Sequence, residues 1–134
     1  MTAAQLLQRI IDFRDQRDWQ QFHTKENLAK SVSIEAGELL ELFQWGEDPP
    51  DDKLSDEIAD VLIYCFLLAH EIGQDPLELM QHKLARNEQR FPVDRVRGNN
   101  GKATRVEPGA PQDPAPAYKA QQTQQSEQPQ KGNS

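Results

Sequence analysis

The chain has a single cysteine and no long apolar run, and each absence excludes a class of protein. Cys65 allows no disulfide within the chain, which agrees with a reducing compartment, and its apolar neighbours predict a buried thiol. The longest apolar run, residues 61–69, is too short for the roughly 20 residues that a membrane-spanning helix needs. The first residues also lack the basic start and apolar stretch of a signal peptide. We therefore expect a soluble cytoplasmic protein with no membrane partner.

Apolar residues are scarce in one part of the chain. Only 36% of the 134 residues are hydrophobic, and residues 98–134 contain no Leu, Ile, Met, Phe or Trp. A segment of this composition cannot bury enough surface to offset its ordering entropy, so a disordered Gln/Pro/Gly-rich tail is predicted over 98–134. The folded domain would then span 1–97. Because so small a core is marginal by itself, we expect a homodimer or tetramer.

Basic side chains are few, and the formal net charge is −7. An acidic protein is a poor partner for a nucleic acid polymer, whose phosphates need a basic surface. Residues 31–81 contain thirteen Asp or Glu residues and a single Lys or Arg, Lys53. Helix-surface carboxylates normally find basic partners three or four positions away, and these have almost none. A solvent-exposed acidic face with no bound ligand is therefore the less favoured interpretation.

The apolar spacing predicts four helices and no strand, hence an all-α fold. Apolar residues at helical spacing indicate a first helix over about 3–17 and a second over 24–45, which Thr24 caps and Gly46 ends. A third helix is expected over about 53–71, with residues 47–52 as a turn, and a fourth after Asp75 to about 89. The predicted core stripe of the second helix is Leu28, Val32, Leu39 and Phe43. The predicted core seam of the third is Leu54, Ile58, Val61, Cys65, Leu68 and Ile72.

Two pairs of carboxylates stand out within apolar sequence: Glu35 with Glu38, and Glu57 with Asp60. Residues three apart share one helix face, so two adjacent helices would bring the four acids together. Such a cluster repels itself unless a cation neutralises it, and oxygen ligands suit Mg²⁺, with Mn²⁺ as a substitute. A di-iron site is disfavoured, because it would use Glu-x-x-His pairs and neither pair here contains a histidine.

These motifs resemble the MazG-like all-α nucleotide pyrophosphohydrolases. The pattern E-x₂-E, eighteen residues, E-x₂-D lies between RDWQQFHTKENL and KLARNEQRFP, as in the small single-domain members that include the dCTP pyrophosphatases. The resemblance covers about residues 5–92 and implies a four-helix bundle completed by homo-oligomerisation. It also implies hydrolysis of a free nucleoside triphosphate between its α and β phosphates, to the monophosphate and pyrophosphate, in nucleotide-pool cleaning.

The resemblance assigns site residues position by position. The metal ligands carry over onto Glu35, Glu38, Glu57 and Asp60, and Glu38 is our choice for the carboxylate that accepts a proton from water. By resemblance, Trp19, His23 and Trp45 hold the base, and Lys83, Asn87 and Arg90 reach the triphosphate or orient a ligand, with a solvated helix face as the alternative for these three. Tyr64 is a further candidate from its spacing, one turn after Asp60, with core packing as the alternative. This chain has Ile10 where vertebrate dCTP-type members carry a histidine, nine residues before the first tryptophan.

Two alternatives stay open at this point. The first is another substrate on the same fold, such as dUTP, a broad range of nucleoside triphosphates or phosphoribosyl-ATP. The second is a non-catalytic acidic helical interaction module, whose carboxylates bind metal or a basic partner without turnover. A substrate panel separates the members of the first group, and the absence of any turnover would favour the second.

Overall fold

The computed structural model describes residues 1–98, in which all regular structure is helical. The all-α class is therefore confirmed for this part of the chain. The four long helices are α1 (Ala3–Asp15), α2 (Lys25–Glu41), α3 (Asp51–Glu71) and α4 (Pro76–Arg90). A short 3-10 helix, Gln20–Phe22, lies before α2, and one turn of helix, α5 (Val93–Val96), follows α4. The predicted tail over 98–134 lies, apart from Gly98, outside the described residues.

The chain divides into two compact units, Met1–Leu77 and a second unit that begins at Glu78. In the first unit, α3 packs along α2 and also contacts α1. The second unit carries the greater part of α4 and the short α5. None of the helices in residues 1–98 combines the length and apolar character that crossing a membrane requires. The domain expected over 1–97 stays a prediction.

Two predicted helix starts carry the expected caps. The Thr24 Oγ1 accepts from the Asn27 N–H at 3.1 Å, and the Asp75 Oδ1 accepts from the Leu77 N–H at 2.8 Å. Each bond satisfies one of the N–H groups that lack a partner in the first turn of a helix. The sequence therefore located the starts of α2 and α4 correctly.

The predicted end of α2 is wrong by one turn, because the helix ends at Glu41 and not at Trp45. Past Glu41 the backbone tightens, and the Phe43 N–H donates to the Leu40 carbonyl at 3.0 Å. Bonds to the third residue back are typical of a fraying last turn. The chain then turns away at Gly46, whose φ of 78° suits a residue without a Cβ.

The start of α3 and the existence of α5 also differ from expectation. Residues 47–52 were predicted to be turn throughout, yet Asp51 and Asp52 form the first turn of α3. Pro50 precedes them and accepts from the Leu54 N–H at 3.0 Å, and acidic side chains are favourable at a helix N-terminus. The single turn α5 was not predicted; it begins directly after Pro92, and a proline is favourable at the start of a helix.

The core of the described chain is small. Its buried apolar residues are Leu28, Leu67, Ala69 and Pro76, of which Leu28 alone is fully buried. Four residues of the predicted core stripes are exposed instead: Phe43, Ile58, Cys65 and Ile72. The prediction of a buried Cys65 thiol is therefore wrong for the single chain. The reason is that α3 is apolar nearly all round and needs more neighbours than α1 and α2 provide.

Candidate metal and nucleotide site

Three of the four predicted metal ligands lie together in the first unit. Glu35 comes from α2, and Glu57 and Asp60 come from successive turns of α3, where the two helices pack side by side. Carboxylate oxygens of the three residues all lie within 4.8 Å of one another. This group, the carboxylate cluster, therefore offers an all-oxygen ligand set to one cation.

The electrostatics of the carboxylate cluster suit a divalent cation. Burial raises the pKa of the Glu35 carboxyl, and the charge and hydrogen bond of Glu38 raise it further. Burial also raises the pKa of Glu57, followed by the charges of Glu38 and Asp60. The Oε2 atom of Glu57 is buried and has no hydrogen-bond partner. An orphaned oxygen among like charges is the environment that a bound Mg²⁺ would satisfy, so the residues present fit the metal.

Glu38 lies beside the carboxylate cluster and does not belong to it. Its side chain is exposed, and its charge acts on both Glu35 and Glu57. The Glu38 carboxylate therefore lies within electrostatic reach of the cluster. Both roles, fourth ligand and proton acceptor, stay predictions.

A pocket of about 470 Å³ opens beside the carboxylate cluster, between α1 and α3. Asp60 belongs both to the cluster and to the pocket wall. The rest of the wall combines aliphatic and aromatic side chains with three basic ones. These residues are Leu6, Arg9, Ile10, Phe13, Arg14, Trp19, His23, Ile63, Tyr64 and Leu67. The volume is typical of small-molecule sites, which are mostly apolar with a few polar groups.

Three of the predicted substrate contacts, Trp19, His23 and Tyr64, meet in this pocket. The His23 and Tyr64 rings lie edge to face with their centroids 6.4 Å apart. Burial and the charge of Arg14 lower the pKa of His23, partly opposed by Glu71, so the imidazole is neutral near neutral pH. The Nδ1 atom of His23 is buried without a hydrogen-bond partner. A ligand in the pocket can supply the partner that this atom lacks.

A tight turn after α1 positions the Trp19 ring. The Trp19 N–H donates to the Arg14 carbonyl at 3.1 Å, and the Asp18 N–H donates to the Asp15 carbonyl at 3.0 Å. These two bonds define a Schellman motif, with Asp18 in the left-handed conformation at φ 55°. The Trp19 ring then packs edge to face on Phe13 at 5.8 Å. Because its backbone and one ring edge are held, Trp19 presents a fixed surface to the pocket.

The remaining predicted contacts are Trp45 in the first unit and three residues of α4 in the second. Trp45 follows the end of α2 and is 84% exposed. Lys83, Asn87 and Arg90 lie on α4 at spacings of four and three, hence on one face of that helix. The Nε atom of Arg90 is buried without a hydrogen-bond partner, and its guanidinium lies 5.6 Å from the Phe91 ring centroid. The roles of these four residues stay predictions.

Sequence reasoning missed the most deeply buried charged residue of the described chain, Arg14. Its relative exposure is 4%, it lines the pocket, and its Nε donates to the Asp15 Oδ1 at 2.7 Å. A signal for it existed in the sequence. Leu6, Ile10 and Arg14 are spaced four apart, so an arginine lies on the apolar stripe of α1 where a core residue is expected.

The fold and the carboxylate cluster define a class of all-α proteins, and comparison with known proteins names it. The profile of the MazG-like family matches residues 30–104, and the chain belongs to that family. Among the curated relatives, dCTP pyrophosphatase 1 of Mus musculus is 40% identical over 103 residues, and that of Homo sapiens is 38% identical over 110. These alignments cover 69% and 74% of this chain but only 61% and 64% of the relatives' length.

A solved structure agrees with this assignment. A pyrophosphatase from Archaeoglobus fulgidus DSM 4304 superposes with a TM-score of 0.62 at 39% sequence identity. The superposition covers 66% of this chain and 91% of the archaeal one. The predicted family and all-α architecture are therefore confirmed.

Proposed function

We propose that this protein hydrolyses a (deoxy)nucleoside triphosphate in the presence of Mg²⁺ and releases the nucleoside monophosphate and pyrophosphate. The observation that carries the proposal is the double position of Asp60, in the carboxylate cluster and in the pocket wall. A nucleotide whose base occupied the pocket would present its phosphates to the cluster through a divalent cation. The relatives' names, dCTP pyrophosphatase and pyrophosphatase, support the same reaction.

In the proposed reaction each carboxylate has a defined task. Glu35, Glu57 and Asp60 hold the metal, and Glu38 completes the set at its edge. When bound, Mg²⁺ supplies the positive charge that offsets the triphosphate. A water oxygen bonds to the α phosphorus while the bond from that phosphorus to the bridging oxygen breaks, and pyrophosphate leaves with the electron pair. Glu38 accepts the proton of the attacking water.

The proposed substrate is a pyrimidine nucleotide similar to dCTP, and the proposed role is the removal of unwanted nucleotides from the pool. Trp19 offers a ring on which a base can stack, a contact worth roughly 1–3 kcal/mol. His23 and Tyr64 complete this aromatic wall, and Trp45 is assigned to the base by resemblance alone. Ile10 also lines the pocket, so the departure from the vertebrate dCTP-type pattern falls on the base site itself.

For the phosphates, the proposed contacts are Lys83, Asn87 and Arg90. Two of these side chains are cationic, and charge-assisted bonds to phosphate are among the strongest that a protein makes. The protein would act as a homodimer or tetramer. Side chains such as Leu40, 72% exposed, and Val93, 71% exposed, support association, because monomers rarely leave so many large apolar groups in water.

The decisive experiment measures pyrophosphate release from each common dNTP and NTP, with Mg²⁺ and with EDTA. The test variant is Glu38→Gln, which removes one charge and keeps the shape of the side chain. Its matched control is Glu41→Gln, three residues further along α2, exposed and outside the carboxylate cluster. We expect metal-dependent release of pyrophosphate with the matching monophosphate, lost in Glu38→Gln and retained in Glu41→Gln.

Three results would contradict parts of the proposal. Release of inorganic phosphate instead of pyrophosphate would mean that the α–β bond is not the one broken. A strong preference for dUTP would favour a dUTP diphosphohydrolase. Equal use of all substrates would favour a broad-range nucleoside triphosphate diphosphohydrolase on the same fold. If no substrate turned over while Mg²⁺ still raised the melting temperature, the acidic helical interaction module would be the better description.

A further inference from the structure

We propose that Arg14 is the residue that selects the base, by donating hydrogen bonds from its guanidinium to the adjacent O2 and N3 acceptors of cytosine. The inference rests on the proposed function in assuming that a nucleotide base enters the pocket of about 470 Å³. It goes beyond that function in assigning base selection to one residue of α1.

The first argument is the burial of the Arg14 charge. The side chain is 5% exposed, and its recorded ion pair joins Nε to the Oδ1 of Asp15, a side chain that is itself 47% exposed. A guanidinium carries five N–H donors in a fixed planar fork, so a bond from Nε to Asp15 leaves the terminal N–H groups as donors that a ligand in the pocket can use. A charge in a largely apolar pocket favours an occupant that presents acceptors to it.

The second argument is the nature of the wall around Arg14. Phe13, Trp19 and Tyr64 line the pocket with aromatic surface, which suits a planar ring. The carboxylate cluster, where phosphates and metal are expected, shares only Asp60 with the pocket wall. The pKa values of Glu35 and Glu57 respond to neighbouring carboxylates, whereas the charge of Arg14 acts on His23. Arg14 therefore belongs to the base end of the site.

The third argument is complementarity to one class of base. Cytosine presents two adjacent acceptors, O2 and N3, which match two parallel N–H donors of an arginine fork. In uracil and thymine the ring N–H at position 3 replaces one acceptor and would oppose a guanidinium donor. The buried Nδ1 of neutral His23 lies in the same wall and can accept from the exocyclic amino group of cytosine. Donor and acceptor together match cytosine and oppose uracil, and the dGTP analogue tests guanine, which also presents two adjacent acceptors.

The test is calorimetric titration of the full chain, in Mg²⁺, with α,β-imido analogues of dCTP, dUTP, dGTP and dATP. The variants are Arg14→Gln, which removes the charge, and Arg14→Lys, which keeps the charge and loses the fork. Arg95→Gln, an exposed arginine on α5, controls for the change in net charge. We expect Arg14→Gln to lower the affinity for the cytosine analogue by roughly tenfold to a hundredfold, which is the range for the loss of a hydrogen bond to a charged group. The affinity for the uracil analogue should change by less than about threefold. Arg14→Lys should keep at most part of the preference for cytosine over uracil.

A ligand-side change makes the test independent of how well the variants fold. The 3-deaza analogue of the cytosine nucleotide replaces the N3 acceptor by carbon, and wild-type protein should bind it roughly tenfold or more weakly than its parent. Equal binding of the two ligands would overturn the inference. Loss of affinity for all four bases in Arg14→Gln would also overturn it, because a structural or phosphate-binding arginine does not discriminate. If the guanine analogue alone were weakened, the assignment of cytosine would be wrong.

Failure of the proposed function gives a different pattern. If nucleotides bind with the expected Arg14-dependent preference but no pyrophosphate is released, base selection stands and the hydrolysis does not. If pyrophosphate is released and Arg14→Gln keeps the wild-type preference, hydrolysis stands and the role of Arg14 does not. Wild-type protein that binds none of the four analogues would overturn both.

Discussion

The turn that holds Trp19 makes a quantitative prediction about residue 18. Asp18 is the one non-glycine residue with positive φ in residues 1–98, and its value is 55°. The left-handed conformation costs an ordinary L residue roughly 1–2 kcal/mol, and Asp tolerates it best because its short side chain bonds locally. Here the Asp18 Oδ2 accepts from the Gln21 Nε2 at 2.8 Å. A β-branched residue would lose this bond and gain the full steric cost.

We therefore expect Asp18→Val to lower the free energy of unfolding by about 2 kcal/mol, from backbone strain with a smaller share from the exposed hydrogen bond. For a folded unit of this size that corresponds to a melting temperature lower by about 10 °C. Asp18→Asn keeps a residue that tolerates this conformation and should melt within about 2 °C of wild type. Asp18→Gly relieves the strain but increases the conformational entropy of the unfolded chain. The free energy of unfolding should therefore change by no more than about 1 kcal/mol.

The functional effect of the same change should be selective. Because the turn fixes Trp19 and not the carboxylate cluster, Asp18→Val should weaken nucleotide binding while Mg²⁺ still raises the melting temperature. Thermal unfolding with and without Mg²⁺, followed by nucleotide titration below the melting range, measures both effects. If Asp18→Val and Asp18→Asn melted at the same temperature, the strain argument would be refuted. If the response to Mg²⁺ also disappeared, the two parts of the site would not be separable.

Four further predictions follow from the described residues. In metal-free protein, the raised pKa values of Glu35 and Glu57 mean that the fold favours their protonated forms. That contribution to stability is complete below their ordinary pKa and is lost as the pH rises through the raised values. Urea unfolding of metal-free protein should therefore show a free energy of unfolding that falls toward neutral pH. Mg²⁺ should make this free energy less dependent on pH. Glu35→Gln should raise the melting temperature of metal-free protein and lower the affinity for Mg²⁺ by on the order of tenfold, as measured by calorimetry. An unchanged affinity would mean that Glu35 is not a metal ligand. Gly73→Ala, at φ 69°, should lower the melting temperature by about 4–8 °C, whereas Gly37→Ala, at a helical position with open space around its Cβ, should not lower it. Cys65 is exposed in the single chain and should react quickly with a thiol reagent in dilute protein. Protection of this thiol at high protein concentration would report association through the exposed face of α3, and equal reactivity would exclude that face as the interface.

Much of the fold could be predicted because it depends on local rules. The spacing of Leu6 and Ile10 predicts α1, and the caps Thr24 and Asp75 begin α2 and α4 where expected. The Glu-x₂-Glu and Glu-x₂-Asp pairs predict shared faces, because the helical repeat fixes which side chains point the same way. The end of α2 at Glu41 was missed, since the last turn is fraying and no side chain marks it.

Burial was predicted less well, because it depends on neighbours that periodicity does not specify. Phe43 and Cys65 lie on apolar stripes and are nevertheless exposed in the single chain. The spacing of apolar residues shows which face of a helix is apolar. Which neighbouring helix covers that face depends on how whole helices pack. The same limit applies to Trp45, which the sequence placed at the end of α2 and which the structure places four residues beyond that end, 84% exposed.

The helical class, the identity of the acids and the family could be derived from residue types and their spacing alone. The approach of Glu35, Glu57 and Asp60 to within 4.8 Å of one another, with Glu38 outside this group, depends on the packing of the helices. The same packing decides that Arg14, one charge among many in the sequence, is buried in the wall of the pocket. The physical reason is that a helix repeat fixes relations within about two turns, whereas a site built from α1, α2 and α3 depends on how those helices pack.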